Sequence, residues 1–269
     1  ILYLDWRSFG LLFSFPFLAI RSFLVGITHT KALSWAAAIA VLINIPLNFY
    51  LIFTRELGIS GAAIASSLAE MGSFMMLSFY MWIRLDKEKY GLRPVYNGNL
   101  LIKVLKLSTW SMLHAFISVA PWFLFFVSIE HLGKIELAIS NITRGVSAIF
   151  FVIANPFALT TGSLVSNAIG AGEGKALFSI CSKILKLGYA IGFPLVAIAL
   201  LCNRWIIGFY TSNELLIQLA FAPFVVMLLN YTFALPGYVY LNAVGGTGKT
   251  QMTFLFQVTT TTIYLVYLY

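Results

Sequence analysis

Charged residues are scarce in this sequence. Only 10% of its 269 residues are Asp, Glu, Lys or Arg, whereas soluble domains carry roughly 25%. Hydrophobic residues make up 60% of the chain, and the mean hydropathy is +0.91. These values exclude an ordinary soluble domain and predict a polytopic membrane protein surrounded by the lipid bilayer. The net charge of +8 comes from basic residues scattered between apolar segments, as in cytoplasmic loops, so we expect no nucleic-acid partner.

Cysteine, histidine and acidic residues are also few. The chain contains two Cys, three His and nine Asp or Glu residues. Cys181 and Cys202 do not have the spacing of a metal or redox motif. A membrane-embedded enzyme would need His, Asp or Glu residues that converge within its apolar segments, and the sequence shows no such cluster. It therefore predicts no enzymatic activity, no metal site and no cofactor.

The segment GGTGKT at 245–250 resembles a nucleotide-binding loop. That loop needs a further glycine five positions before the Gly of the Gly-Lys-Thr triplet, so that backbone N–H groups can surround a phosphate. Here that position is Ala243, and the segment follows an apolar helix pattern instead of a strand. We interpret it as a glycine-rich turn between two helices.

Long apolar segments are abundant, and they predict an all-α fold. A membrane helix needs about 20 apolar residues, and eight segments separated by short polar breaks meet this requirement. The predicted spans are 9–28, 32–54, 59–84, 100–129, 134–168, 186–209, 213–244 and 250–269. At 170–186 we expect a loop followed by a short amphipathic helix at the membrane surface.

A polar stretch from Arg84 to Lys106 divides the spans into two bundles. Because charges and unpaired backbone groups are costly in hydrocarbon, residues 1–84 are predicted to form three helices, 85–99 a solvated cytoplasmic linker and 100–269 five helices. Alternate loops carry eleven Lys or Arg residues on one side and four on the other. The side with eleven is predicted to be cytoplasmic. The other four are Arg7, Arg55, Lys134 and Arg204.

The ends of the chain and a short repeat suggest a larger protein. The first residue is not Met and the last residues lie inside an apolar run, so we expect a fragment. A shift of 220 residues aligns Gly26 with Gly246 and Thr30 with Thr250, each in a hairpin between two spans. Since transporters are often built from related halves, we expect the two bundles to be pseudo-repeats.

Four segments carry a family resemblance. They are NIPLNFYLIF at 44–53, GISGAAIASSLAE at 58–70, SLVSNAIGAGEGKAL at 163–177 and YLNAVGGTGKTQM at 240–252. Together they resemble the multidrug and toxic compound extrusion (MATE) family. The resemblance implies two six-helix lobes joined by a cytoplasmic linker, with the eight spans corresponding to helices four to eleven. Residues 1–84 would be the second half of the N-lobe and residues 100–269 most of the C-lobe.

The same resemblance implies a function. A member of this family would export drugs or other small organic, mostly cationic or amphipathic, compounds by alternating access, coupled to inward flow of Na⁺ or H⁺. We accordingly expect small-molecule substrates, a monomer and a location in a bacterial-type inner membrane. The alternative is a flippase for lipids or lipid-linked oligosaccharides of the same superfamily, which would need a cationic cleft. Arg144 supports that alternative.

The resemblance also implies a cation site in the first bundle. In one branch of the family, Asn44, Asn48 and Ser66 match an Asn, an Asp and a Thr that act with an Asp on the first helix. This sequence departs at Asn48, which carries no charge, and Glu70, one turn beyond Ser66, could supply the carboxylate instead. Alternatively, the two Asn side chains form hydrogen bonds between helices near Pro46.

In the second bundle, another branch of the family has carboxylates where this chain has Ser118 and Ala234, so that coupling site is missing here. The residues that could line a cleft or contact a substrate are His114, Arg144, Asn141 and Asn155. His114 could carry a proton or serve as a neutral hydrogen-bonding residue. Arg144 lies too deep to reach the surface easily, so it should face a wet cleft or pair with a carboxylate such as Glu136.

Aromatic and methionine side chains inside the spans could line an adaptable pocket for flat apolar ligands. Packing between helices explains them equally well. The residues of this kind are Trp110, Met112, Trp122 and Tyr231.

Overall fold

The computed structural model describes residues 2–86, 88–92 and 96–268, except for the side chain of residue 2. Within these ranges the chain is helical and contains no strand, which confirms the all-α prediction. The helices are α1 (Leu2–Gly26), α2 (Lys31–Phe49), α3 (Gly58–Arg84), α4 (Gly98–Leu132), α5 (Lys134–Gly170), α6 (Leu177–Leu201), α7 (Asn203–Gly208), α8 (Glu214–Gly246) and α9 (Thr250–Leu268). A π-helical turn at Tyr50–Thr54 follows α2, and a 3₁₀ turn at Gly174–Ala176 precedes α6.

Seven helical segments in the described ranges are long and apolar enough to cross a membrane. They correspond to the first seven predicted spans and confirm a multi-pass membrane protein. The eighth predicted span forms α9, but it is not among the seven. Four consecutive threonines and two glutamines make α9 less apolar than the others.

Two sequence-based boundaries were wrong. Arg7 lies inside α1 and not in a loop, because its guanidinium has an acidic partner on α3. Within 170–186 the predicted loop is present before the 3₁₀ turn, but the expected short surface helix is instead the start of the continuous helix α6 at Leu177. The buried side chains of Cys181 and Ile184 pack into the core of the bundle, so this part of α6 is anchored to protein and not only to the membrane surface.

The chain divides into two compact units, Ile1–Tyr96 and Asn97–Tyr269. The boundary falls inside the predicted linker, of which Lys87 and residues 93–95 lie outside the described residues. The Asp86 carboxylate accepts hydrogen bonds from the backbone N–H groups of Glu88 and Lys89 at 2.9 and 3.2 Å, which forms a turn. Leu85 is buried, so the linker begins on the first unit and is not solvated throughout. Its cytoplasmic location stays a prediction.

In the first unit, α3 packs against both α1 and α2. Small side chains dominate its buried face, which allows close approach of neighbouring helices. These residues are Gly61, Ala63, Ala65, Ala69 and Ser73. At Gly61, a Cβ atom would lie 3.0 Å from the carbonyl group of Leu51. The close packing of α3 against the end of α2 therefore depends on a glycine.

In the second unit, α5 and α8 form the central pair. Their buried residues recur every three or four positions, which places them on one face of each helix. On α8 these residues are Ala220, Phe224, Leu228, Tyr231, Leu235 and Val239. Helices α6 and α7 pack on this pair, whereas α4, described over its whole length, contacts α5 and α9 and has no buried residue. Such an exposed apolar helix is expected where lipid replaces water.

The hairpin between α8 and α9 contains the GGTGKT segment. A Cβ atom on Gly246 would overlap the carbonyl oxygen of Gly162 on α5, and Gly248 has a φ of +81°. The segment therefore forms a helix–turn–helix in which one glycine permits helix contact and another permits the turn. Thr28, its counterpart after a shift of 220 residues, has a φ of +62°. This shared turn geometry supports a local repeat, while the relation of the complete halves stays a prediction.

Candidate cation and ligand sites

Three polar side chains of the first unit form a hydrogen-bonded chain. Asn48 Nδ2 donates to Asn44 Oδ1 at 2.8 Å, and Asn44 Nδ2 donates to Ser66 Oγ at 3.4 Å. The two Asn residues are four positions apart on α2 and therefore share a face. Asn48 Oδ1 is buried and accepts no hydrogen bond from the residues that the structure describes. This chain links α2 to α3 and leaves one buried neutral oxygen available to a donor or a cation.

A second polar group joins α1 to α3. Arg7 Nη2 forms an ion pair with Glu70 Oε1, and Ser14 Oγ donates a hydrogen bond to Glu70 Oε2. The side chains of Arg7 and Glu70 are only 29% and 28% exposed, and Arg7 Nη1 is buried without a hydrogen-bond partner. Both oxygens of Glu70 are therefore engaged by groups from α1.

Gly10 gives this ion pair its space. A Cβ atom at Gly10 would lie 2.7 Å from Ser67 Oγ and 3.1 Å from both Arg7 Nη1 and Glu70 Oε2. Arg7, Gly10 and Ser14 are spaced three and four positions apart, so they face α3 together. A side chain at position 10 would therefore displace the polar groups of this ion pair.

The four predicted cation-site residues thus fall into two groups. Asn44, Asn48 and Ser66 are linked to one another, whereas Glu70 is bound to Arg7 and Ser14 of α1. Sequence reasoning missed Arg7 and Ser14. A signal was present, because a basic residue and a serine seven positions apart on one helix face both need a polar neighbour inside a membrane.

The second unit contains a cavity of about 550 Å³ between α4, α5 and α8. Seven of the fifteen residues that line it are aromatic: Trp122, Phe123, Phe126, Phe150, Phe151, Tyr231 and Tyr238. Ala234 and Arg144 also line it. Its volume lies within the range of about 300–1,000 Å³ for sites that bind drug-sized ligands.

A second cavity of about 510 Å³ adjoins the first. Both are lined by Trp122, Arg144 and Met227. The second also contacts Tyr264 of α9 and two helix-interior prolines, Pro121 and Pro223. Arg144 therefore lies at the border between two apolar cavities.

Arg144 has no carboxylate partner within the described part of the chain. Its guanidinium carbon lies 5.0 Å from the centroid of the Phe126 ring, in cation–π contact. Among the described residues that line the two cavities, none is acidic. The alternative partner, Glu136, lies more than two turns earlier on α5 and makes no ion pair with Arg144 among the described residues. The guanidinium instead faces space that a ligand could occupy.

The other three cleft candidates line neither cavity. His114 on α4 is half-buried, and its Nε2 has no hydrogen-bond partner. Asn141 is exposed and donates to the carbonyl oxygen of Leu137 in its own helix at 3.0 Å. Asn155 is half-buried beside Pro156.

Among the aromatic and methionine candidates, Trp122 and Tyr231 line the first cavity, whereas Trp110 and Met112 line neither. Trp110 packs against Phe254 of α9, with ring centroids 5.3 Å apart. Spacing along a helix does not distinguish a residue that lines a cavity from one that packs against a neighbouring helix, because both lie on an apolar face.

A family model described as MatE matches residues 111–269, more than half of the chain. The chain belongs to the MatE family. This confirms the predicted family, whose members are transporters and not enzymes. The matched residues include both cavities and Arg144.

The MatE chain is similar to curated relatives named as multidrug resistance and detoxification proteins. It is 25% identical over 211 residues to the probable multidrug resistance protein NorM of Photorhabdus laumondii subsp. laumondii, a match covering 76% of this chain and 46% of that protein. It is 24% identical over 181 residues to Protein DETOXIFICATION 8 of Arabidopsis thaliana, covering 65% and 36%. The chain thus spans less than half the length of these relatives. Their names do not favour the flippase alternative.

Solved structures show the same fold. The crystal structure of MATE in complex with MaL6 matches the MatE chain with a TM-score of 0.71 and 18% identity, over 83% of this chain and 51% of that one. The crystal structure of MATE in the bent conformation matches with a TM-score of 0.68 and 17% identity, over 85% and 51%. The helices of the MatE chain are therefore arranged as in MATE proteins.

Proposed function

We propose that this protein exports small amphipathic organic compounds by alternating access, driven by inward flow of Na⁺ or H⁺. The observation that carries the proposal is the cavity of about 550 Å³ inside the second unit. Membership of the MatE family and the names of the multidrug resistance relatives support it. A monomer in a bacterial-type inner membrane stays part of this proposal.

The cavity has features that a transporter of varied compounds needs. Its wall consists mainly of aromatic and other apolar side chains with a few polar groups, an arrangement that binds apolar bodies without demanding one shape. All three helices that form it contain interior prolines: Pro121 in α4, Pro156 in α5, and Pro223 and Pro236 in α8. Proline removes a backbone hydrogen bond and allows a helix to bend. Bending at these points would open and close the cavity.

The ion pair between Arg7 and Glu70 offers a means of coupling. An unpaired charge at membrane depth is costly, so Glu70 can leave Arg7 only if another cation takes its place. Na⁺ or H⁺ at the carboxylate would therefore compete with the guanidinium. The two bound states would favour different arrangements of α1 and α3, and the ion gradient would shift the population between them.

The test is efflux of a fluorescent amphipathic dye from proteoliposomes under an imposed Na⁺ or H⁺ gradient. We expect one gradient to accelerate efflux and an ionophore that dissipates it to abolish the effect. Ala234→Trp should block efflux because it fills the cavity. Ala222→Trp is the matched control, since Ala222 is exposed on the same helix and lines neither cavity. The proposal would be overturned by an efflux rate that neither gradient changes, or by an unchanged efflux rate in the Ala234→Trp variant.

A further inference from the structure

We propose that the cavity bordered by Arg144 selects aromatic anions, meaning flat apolar compounds that carry a carboxylate or sulfonate. This inference rests on the proposed function and names its substrate class. It differs from the expectation of mostly cationic compounds that the family resemblance implied.

The charge of Arg144 favours an anionic ligand. An arginine side chain stays protonated in proteins, and Arg144 forms no ion pair within the described part of the chain. Arg144 is exposed and borders both cavities, so its guanidinium is accessible to a ligand. Among the described residues that line the two cavities there is no Asp or Glu. A ligand anion would therefore supply the counter-charge.

The hydrogen-bond donors of Arg144 are available to a ligand. Phe126 covers one face of the guanidinium, and a cation–π contact of this kind leaves the N–H groups at the edge of the plane free to bind a carboxylate with two hydrogen bonds. Two other polar side chains of the cavity are already engaged. Tyr231 donates to the carbonyl oxygen of Gly188 at 2.9 Å, and Ser147 donates to that of Arg144 at 2.8 Å. Arg144 is therefore the strongest donor left for a ligand.

Aromatic side chains of the cavity wall pack against one another. Phe150 packs edge-on against Tyr231 at 6.0 Å, and Phe151 packs edge-on against Tyr238 at 5.7 Å. These rings hold one another in place and present apolar surface to the space beside Arg144. An aromatic body would pack on them while its acidic group met the guanidinium. A cationic analogue would place two positive charges close together in a medium that screens them poorly.

The experiment uses two probes with the same aromatic body and opposite charge, pyrenebutyrate and pyrenebutylamine. Their binding to the purified protein in phosphatidylcholine nanodiscs is measured by fluorescence, with empty nanodiscs subtracted. We expect the anion to bind at least about tenfold more tightly than the amine, because a hydrogen bond to a charged group contributes about 1.5–3 kcal/mol. Arg144→Gln should remove this preference, and Arg144→Lys should keep part of it.

The matched control is Arg204→Gln, in the same unit. Arg204 forms an exposed ion pair with Glu214 at 3.0 Å and lines neither cavity, so its loss should leave both affinities unchanged. Equal or tighter binding of the amine would overturn the inference. So would an unchanged anion preference in Arg144→Gln.

An anionic lipid could supply the same chemistry. Nanodiscs in which phosphatidylglycerol replaces part of the phosphatidylcholine separate the two sources. If free aromatic anions are the ligands, the affinity for pyrenebutyrate should stay within about twofold after surface-charge correction with empty nanodiscs. A larger loss of affinity for pyrenebutyrate that is absent in Arg144→Gln would assign the site to lipid and overturn the inference. Since binding needs no gradient, anion selectivity without coupled efflux would refute only the proposed function, and efflux without anion selectivity would refute only this inference.

Discussion

The guanidinium of Arg7 is bound to the carboxylate of Glu70, so two adjacent helices of the first unit share an ion pair inside a predicted membrane span. Ser14 donates to the same carboxylate, and Gly10 lets the helices approach. Neutralising one partner would leave the other charged and without its counter-charge. We therefore expect the ion pair to contribute both to the stability of the protein and to ion coupling, and substitutions can separate these two contributions.

We predict that Glu70→Gln abolishes gradient-driven efflux and also destabilises the protein. Removing one partner of a fully buried pair costs about 3–5 kcal/mol. Both side chains here are somewhat more than a quarter exposed, so we expect about 1–3 kcal/mol. The double variant Arg7→Gln with Glu70→Gln should regain most of the stability and still lack coupling. Thermal unfolding in detergent and efflux from vesicles measure the two effects, and wild-type efflux in Glu70→Gln would assign the residue to packing.

We further predict that Asn48→Asp partly restores coupled efflux in the Glu70→Gln background. The unpartnered Oδ1 of Asn48 is buried beside the hydrogen-bonded chain of Asn44 and Ser66. A carboxylate there would supply the charge that this site lacks. Asn48→Ala in the same background is the control and should restore nothing. Equal efflux rates in these two variants would show that no cation acts at position 48.

The helices were predictable because backbone N–H and C=O groups in a bilayer must form hydrogen bonds within their own segment. An apolar segment long enough to cross the bilayer is therefore expected to be a helix. The position of Arg7 was not predictable in this way. A hydropathy scale places a basic residue in a loop because moving its charge into the membrane costs free energy. The scale does not include the stabilisation by a carboxylate 63 positions away in the sequence. The same holds for α6, whose first turns were predicted to lie on the membrane surface but pack against the core through Cys181 and Ile184.

The candidate ligand site was predictable only in part. The depth of Arg144 in its span indicated either a cleft or a carboxylate partner, and the structure places it beside two cavities. The cavities themselves depend on how α4, α5 and α8 contact one another, which a helix-period pattern does not specify. Trp110 and Trp122 lie twelve positions apart on α4, yet one packs against α9 and the other lines the cavities.

The contact between α5 and α8 gives a prediction about stability. A methyl group at Gly246 would overlap the backbone of Gly162, and backbone cannot move aside as a side chain can. We expect Gly246→Ala to destabilise the protein by about 1–3 kcal/mol, as overpacking does. Gly237→Ala is the matched control on the same helix, because nothing lies within 4 Å of its Cβ position. It should be neutral or stabilising by up to about 1 kcal/mol, and equal unfolding temperatures for the two variants would contradict the close contact.

The last prediction concerns topology. Three of the four basic residues first placed on the non-cytoplasmic side, Arg55, Lys134 and Arg204, lie outside or near the ends of the spans, whereas Arg7 belongs to α1. From the side with eleven basic residues, Lys103, Lys106, Lys183 and Lys186 also lie within spans. The remaining basic residues still favour that side, so its cytoplasmic location stays our prediction. Cysteines introduced at Lys89 and Lys175 should then react with an impermeant thiol reagent only from the cytoplasm, and one at Lys134 only from the opposite side.

The native thiols determine how this measurement is made. Cys202 is exposed and Cys181 is buried, so the exposed thiol would react and obscure the result. The three cysteines are therefore introduced one at a time in a background in which both native residues are replaced by Ser or Ala. An odd number of spans separates position 134 from position 175, because α5 lies between them. Reaction of these two positions from the same side would mean that α5 does not cross the membrane, and the span assignment of the second unit would be wrong.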